Sequence, residues 1–113
     1  MNLDDPGRYR GCMAGHEPCG VVGAIGPNCR KFKKGDRVIV SHISGCGNCY
    51  PCRKGWIVNC TSDERSVYGW HGAGAYADFM LTEEYALLEL PEELSFVDGA
   101  IISCGFGTSF QGV

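Results

Sequence analysis

Between Gly45 and Cys60 the sequence runs GCGNCYPCRKGWIVNC, with four cysteines at 46, 49, 52 and 60 inside sixteen residues. So few apolar side chains lie in that segment that burial alone cannot hold it folded. Two C-x-x-C steps share Cys49, and a fourth cysteine follows eight positions beyond Cys52. This spacing meets the demand of a closed tetrahedral zinc site, with four thiolates at about 2.3 Å from one ion. Metal coordination then supplies the folding free energy that a Gly-rich lobe cannot draw from a core. A closed site has no open position for chemistry, so such a zinc is structural. Two disulfides are an alternative, opposed by the crowding of Cys46, Cys49 and Cys52. An iron–sulfur cluster is another, opposed by the absence of ferredoxin spacings. Arg53 and Lys54 lie within the loop, where they are placed to offset the negative charge of a tetrathiolate. Trp56 is expected to pack the lobe onto the rest of the domain.

At 113 residues the chain is one domain's worth, with room for one modest core. Its hydrophobic fraction of 44% against 20% charged residues is that of a folded protein rather than a disordered one. The formal charge of −3 offers no basic stripe, which argues against nucleic-acid and anionic-membrane partners. The N-terminal MNLDDPGRYR is polar, and no run approaches the roughly 18 apolar residues of a membrane span. A cytoplasmic location is expected, where eight cysteines serve as thiols or metal ligands rather than disulfides.

Strand signals dominate the first ninety or so positions. GVVGAIG (20–26) and RVIVSH (37–42) are rich in Val and Ile, and a turn-rich basic connection, GPNCRKFKKGD, joins them. After the cysteine lobe, 75–81 and 86–90 are further candidate strands, the last stopped by Pro91. The body is therefore mostly β, with helix expected only after Pro91. There Ser95 and Asp98 form a capping-box signature ahead of GAIISC, and GFGTSFQGV can open a second helix.

Two further segments could carry chemistry. GHEPCG sets His16 and Glu17 before the first strand, and SCGFGT sets Cys104 in a Gly-rich turn 88 positions beyond His16. The ordered landmarks GHE-x-x-G, GDRV, the cysteine run, GAYADF and SCGFGT together resemble the zinc-containing medium-chain alcohol dehydrogenases, over positions 15–113.

That resemblance implies a GroES-like, partly open antiparallel β-barrel with a zinc-binding lobe and short C-terminal helices. It implies that 1–113 is the substrate domain, truncated at both ends, with the structural zinc lobe at 45–61. The structural zinc falls on Cys46, Cys49, Cys52 and Cys60, as the spacing also indicates. A catalytic zinc would be held by His16 and Cys104, with Glu17 as a nearby or exchanging carboxylate and Thr108 close to the nicotinamide of NAD or NADP. The implied activity is NAD(P)-linked oxidation of a small alcohol to an aldehyde or ketone, and the resemblance leaves room for a homo-oligomer. The family's first catalytic cysteine lies further upstream of GHE than this chain reaches, so the catalytic zinc site is expected to be incomplete. Cys12 stands only four positions before His16, too close to be its counterpart, though it could substitute as a ligand. No G-x-G-x-x-G follows, so the chain alone is expected to be inactive. A stand-alone zinc-binding module without enzyme activity is the alternative reading. Cys19 and Cys29 read as packed or surface thiols, and His42 and His71 as structural residues that could approach a cleft.

Overall fold

β-branched side chains at Val38, Ile39 and Val40 favour a pleated backbone. In the computed structural model, which describes residues 12–112, they form the middle strand of the larger sheet. That sheet is antiparallel and runs in the order β1 (Cys19–Val21), β2 (Arg37–Val40), β5 (Leu87–Glu89). Cys19 and Leu88 both lie opposite Ile39, on its two flanks. A second, two-stranded sheet pairs β3 (Ile43–Ser44) with β4 (Ser66–Val67), Ile43 opposite Val67. The sheets do not close on one another, so the mostly β, GroES-like architecture is a partly open barrel.

Both faces of β2 are covered. Val38 and Val40 point inward to Phe32, Tyr68 and Leu87, with Val22 and Met80 packed against that cluster. Beside it an apolar groove of about 490 Å³, lined by Val21, Val22, Ile25, Phe79 and Met80 along with Val38 and Val40, leaves the interior open on one side. On the opposite face a helix, α2 (Phe96–Ile101), lies across β1 and β2. Gly99 of α2 sits against Cys19 and Leu90 so closely that a Cβ there would collide with the Cys19 sulfur. Arg37 fixes the approach to this helix. Its guanidinium donates to the carbonyls of Pro91 at 2.9 Å and Leu94 at 2.6 Å and stacks 4.7 Å from the Phe96 ring centroid.

The capping box is formed as expected. Asp98 N–H donates to Ser95 Oγ at 3.2 Å, and Ser95 N–H donates to Asp98 Oδ2 at 2.9 Å. Beyond α2, however, there is no Gly-rich turn between separate helices. The chain continues through a π-helical segment, Ile102–Phe106, into α3 (Gly107–Gln111). A Cβ at position 107 would lie 3.0 Å from the Ile102 carbonyl oxygen, so glycine there relieves the crowding of the widened turn.

Two other expectations need correction. Residues 75–81 do not form a strand: the N–H groups of Gly74, Ala75 and Tyr76 bond to the carbonyls of Met13, Gly15 and Ala14. That segment pairs with the loop before His16 instead of entering a ladder, and Phe79 and Leu81 are left exposed. Helix is also not confined to the end. A short helix, α1 (Tyr50–Arg53), lies inside the cysteine loop, and single 3-10 turns occupy Ile57–Asn59 and Glu84–Ala86. Pro51 near the start of α1 has its φ already set for a helical turn, and such a turn puts residues three apart, Cys49 and Cys52, on one side. The polar stretch MNLDDPGRYR lies outside the described residues.

Glu84 closes the hairpin connection. Its carboxylate accepts from the backbone N–H groups of Arg30 at 2.9 Å, Lys31 at 2.6 Å and Phe32 at 3.1 Å. These amides, that of Lys31 foremost, hold its carboxyl below the usual range. A group depressed in the folded state stabilises above its unfolded pKa, and that contribution is lost as pH falls through the folded value. Glu84→Gln is expected to lower the thermal midpoint by about 3–6 °C at neutral pH. Melts across pH should show the gap to the parent closing as the carboxyl protonates.

Candidate metal centres

The first centre is the cysteine lobe. Cys46, Cys49, Cys52 and Cys60 bring their sulfurs within 4.8 Å of one another, and all eight cysteines of the chain are free thiols. Backbone amides point at the sulfurs: Cys49 N–H donates to Cys46 Sγ at 3.3 Å and Cys46 N–H to Cys60 Sγ at 3.4 Å. The amides of Cys52 and Thr61 pull the Cys49 thiol down to about 6. The amides of Cys46 and Ser62 lower Cys60 in the same way. Cys52 moves oppositely, pushed up to about 12 by desolvation and then by its bond with Cys49. Some thiols are thus poised to ionise and another is opposed by its neighbours, which is the electrostatic situation a divalent cation relieves. The donor set fits zinc.

The lobe is attached to the body through Tyr85 rather than Trp56. The Tyr85 hydroxyl donates to the Gly45 carbonyl and lies 3.3 Å from Ser44 Oγ. Trp56 is 53% exposed and has no such role. Lys54 stands with its ammonium 5.8 Å from the Tyr50 ring centroid, and Arg53 is exposed at the end of α1. At Gly45 there is no room for a side chain, since a Cβ would lie 2.6 Å from Cys52 Sγ and 3.1 Å from Ile57 Cγ2.

A second centre gathers His16, His42 and Cys104, whose ligand atoms also lie within 4.8 Å of one another. His16 comes from the loop before β1. Gly15, at φ +110°, lets that loop touch the 69–75 segment backbone to backbone, where a Cβ would stand 2.5 Å from Ala75 N. His42 follows β2, and Cys104 sits in the π segment. That segment is pinned on both sides of the cysteine. Ser103 Oγ donates to the Val40 carbonyl at 2.6 Å, and Gly105 N–H donates to Glu17 Oε1 at 3.2 Å.

Each imidazole is oriented by its Nδ1. His16 Nδ1 lies 2.9 Å from the Tyr68 carbonyl and His42 Nδ1 2.9 Å from the Ser103 carbonyl. A carbonyl only accepts, so each Nδ1 carries a proton, which in the neutral imidazole is the tautomer that leaves the lone pair on Nε2. The two rings are T-shaped with centroids 4.8 Å apart, and Trp70 lies 5.4 Å from His16.

His16 and Cys104, 88 positions apart in sequence, are therefore neighbours, with ligand atoms within 4.8 Å. Glu17 is exposed and bonds the π segment rather than joining the ligand group. Thr108 Oγ1 lies 4.0 Å from Cys104 Sγ, one turn further along. Cys12 is outside both groups. Cys19 donates to the Val38 carbonyl at 3.2 Å, and Cys29 lines the apolar groove. His71 Nδ1 accepts from Val67 N–H at 3.3 Å. His42 is the residue that sequence reasoning left aside: its structural role is real, through Ser103, but it also enters the ligand group. The one signal for it was a histidine at the exit of an apolar strand, two residues before the lobe's own strand ends. The groove is lined by none of the residues of either centre. Among the described residues no helix is long and apolar enough to cross a membrane.

Known proteins align with this arrangement. The family model described as the alcohol dehydrogenase GroES-like domain matches residues 3–92. The uncharacterized zinc-type alcohol dehydrogenase-like protein YphC of Escherichia coli K12 is 51% identical over 93% of the chain, which spans 30% of that protein. The NAD-dependent alcohol dehydrogenase of Sulfurisphaera tokodaii is 35% identical over 98% of the chain, which spans 31% of it. A crystal structure of an NAD-dependent alcohol dehydrogenase superposes with a TM-score of 0.79 at 33% identity, covering 88% of this chain and 29% of the other. The chain thus spans about 30% of the length of the relatives it matches.

Gly45→Ala tests how tightly the lobe is packed. The new methyl must displace Cys52 or Ile57, so zinc affinity, read by competition with a chromophoric chelator, is expected to fall by roughly tenfold or more. The β-rich circular dichroism of the body should persist.

Proposed function

The chain belongs to the zinc-type alcohol dehydrogenases through their GroES-like domain, and from that membership we propose that residues 1–113 are the substrate-binding and metal-binding part of an NAD(P)-linked alcohol dehydrogenase. Within it, 45–61 is a structural zinc lobe held by Cys46, Cys49, Cys52 and Cys60. His16 and Cys104 hold a second, catalytic zinc. The observation that carries this reading is the convergence of those two side chains from opposite ends of the chain, His16 held by the Tyr68 carbonyl and Cys104 placed by the bonds of its neighbours Ser103 and Gly105.

A zinc with three protein ligands and an open position supplies Lewis acidity, lowering the pKa of a bound alcohol so that its hydride can pass to a nicotinamide. The chain's own residues prepare the place. Tyr68 fixes the proton of His16 on Nδ1 and leaves Nε2 free to bind. Ser103 and Glu17 hold the π segment so that Cys104 faces His16. Glu17, one residue from His16, serves as the carboxylate that tunes or transiently enters the site. Thr108, one turn after Cys104, is placed for the nicotinamide side of the cleft. The substrate class is a small alcohol or its carbonyl product, and the location cytoplasmic.

Two measurements test this reading. Elemental analysis of the purified chain should find about one tightly held zinc assigned to the lobe, and Cys46→Ser or Cys60→Ser should remove it. A metal-free protein with disulfides at these positions would overturn the assignment. For activity, residues 12–112 can replace the matching segment of the Sulfurisphaera tokodaii enzyme. The chimera is expected to oxidise alcohols with NAD⁺, and Cys104→Ser to reduce kcat/KM by on the order of a hundredfold or more. A folded, zinc-loaded chimera inert toward every alcohol tried would favour a zinc-binding module without enzyme activity.

A further inference from the structure

The four consecutive side chains of residues 82–85 reach three separate parts of the molecule. Thr82 Oγ1 lies 2.9 Å from the Tyr68 hydroxyl, which donates to Glu83 Oε2. Glu84 accepts from the backbone N–H groups of Arg30, Lys31 and Phe32. The Tyr85 hydroxyl donates to the Gly45 carbonyl and lies 3.3 Å from Ser44 Oγ. We propose that this segment is a coupling strap: metal in the four-cysteine lobe holds Tyr85, and through it orders the 30–32 connection and the Tyr68 side chain. The inference rests on the reading that the lobe binds zinc, and it adds what a loaded lobe does for the body.

Three observations support it. The acceptor of Tyr85 is the carbonyl of a residue wedged against the ligands, since a Cβ on Gly45 would lie 2.6 Å from Cys52 Sγ and 3.3 Å from Cys60 Cβ. Its position follows the packing of the cysteines, and a lobe that folds on metal binding is an element with two states. Second, the strap is short and stiff. Glu84–Ala86 forms one 3-10 turn that runs directly into β5, so Tyr85 cannot shift without moving Glu84 beside it. Third, what the strap holds is sensitive to its position. Three amides share the one Glu84 carboxylate, and the buried Tyr68 offers its own carbonyl to His16 Nδ1 at 2.9 Å.

Amide hydrogen exchange, resolved by NMR, tests the coupling. Residues 30–32 are the reporter, because 66–68 is also joined to the lobe directly: β3 pairs with β4, and Arg65 Nε donates to the Val58 carbonyl at 3.1 Å. The purified chain is kept reduced, and exchange is followed with lobe zinc in place and after its removal by a chelator. Stripping is expected to speed exchange at 30–32 by roughly 3–10-fold, while the β2 ladder keeps its protection. Tyr85→Phe, which loses only the hydroxyl, should retain lobe zinc, exchange at 30–32 at the rate of the stripped parent, and respond no further to the chelator. Protection at 30–32 that is indifferent to zinc in the parent overturns the inference and leaves the zinc reading standing. So does a Tyr85→Phe chain that responds like the parent, since the coupling would then run through β3 and β4. Deprotection that extends equally to the β2 ladder is global unfolding and overturns it as well. A lobe that takes up no zinc overturns the zinc reading and this inference together.

Discussion

The hydroxyl of Ser103, one of the few buried polar side chains among the described residues, donates to the carbonyl of Val40 at 2.6 Å, and the gathering of His16, His42 and Cys104 depends on that bond. It joins the end of the central strand to the middle of the C-terminal helix. It fixes the π segment over the sheet on one side of Cys104, as the bond of Gly105 to Glu17 does on the other. The Ser103 carbonyl then turns His42 toward the same point, and Gly105 N–H reaches Glu17 beside His16. A buried hydroxyl deprived of its acceptor would cost about 1–3 kcal/mol, so the arrangement is held by the cost of breaking it as well as by its gain.

Close backbone approach is the second device. Gly15 and the glycines of GWHGAG let the loop that carries His16 lie directly on the segment after β4, main chain against main chain. The N–H groups of 74–76 are satisfied by that loop, which is why an apparently strand-like run does not enter a sheet. Its apolar side chains then stay at the surface or line the groove. The interior of the partly open barrel is thus closed on the side of α2 and open on the side of Phe79 and Met80.

The lobe obeys a different physics. It has no apolar core of its own, and its sulfurs are arranged so that amide dipoles favour some thiolates while crowding opposes others. One divalent cation would resolve that conflict, and the Tyr85 hydroxyl ties the lobe to the body by reaching Gly45.

The four-cysteine set, the capping box of α2 and the central strand were legible in the sequence because the interactions that make them lie within a few residues of one another. Cys49 and Cys52 share a helical turn, Ser95 and Asp98 are three apart, and Val38 to Val40 carry their own β preference. The pairing of His16 with Cys104 was legible only through a resemblance spanning the whole chain. The place of His42, the Tyr85 anchor and the π turn were decided by tertiary structure alone. Their partners lie 61 positions away for His42 and Ser103, 40 for Tyr85 and Gly45, and 63 for Ser103 and Val40. No local propensity encodes such contacts: a histidine after a strand reads the same whether it faces solvent or a cluster of other side chains, and only the packing of α2 across the sheet brings Ser103 to it.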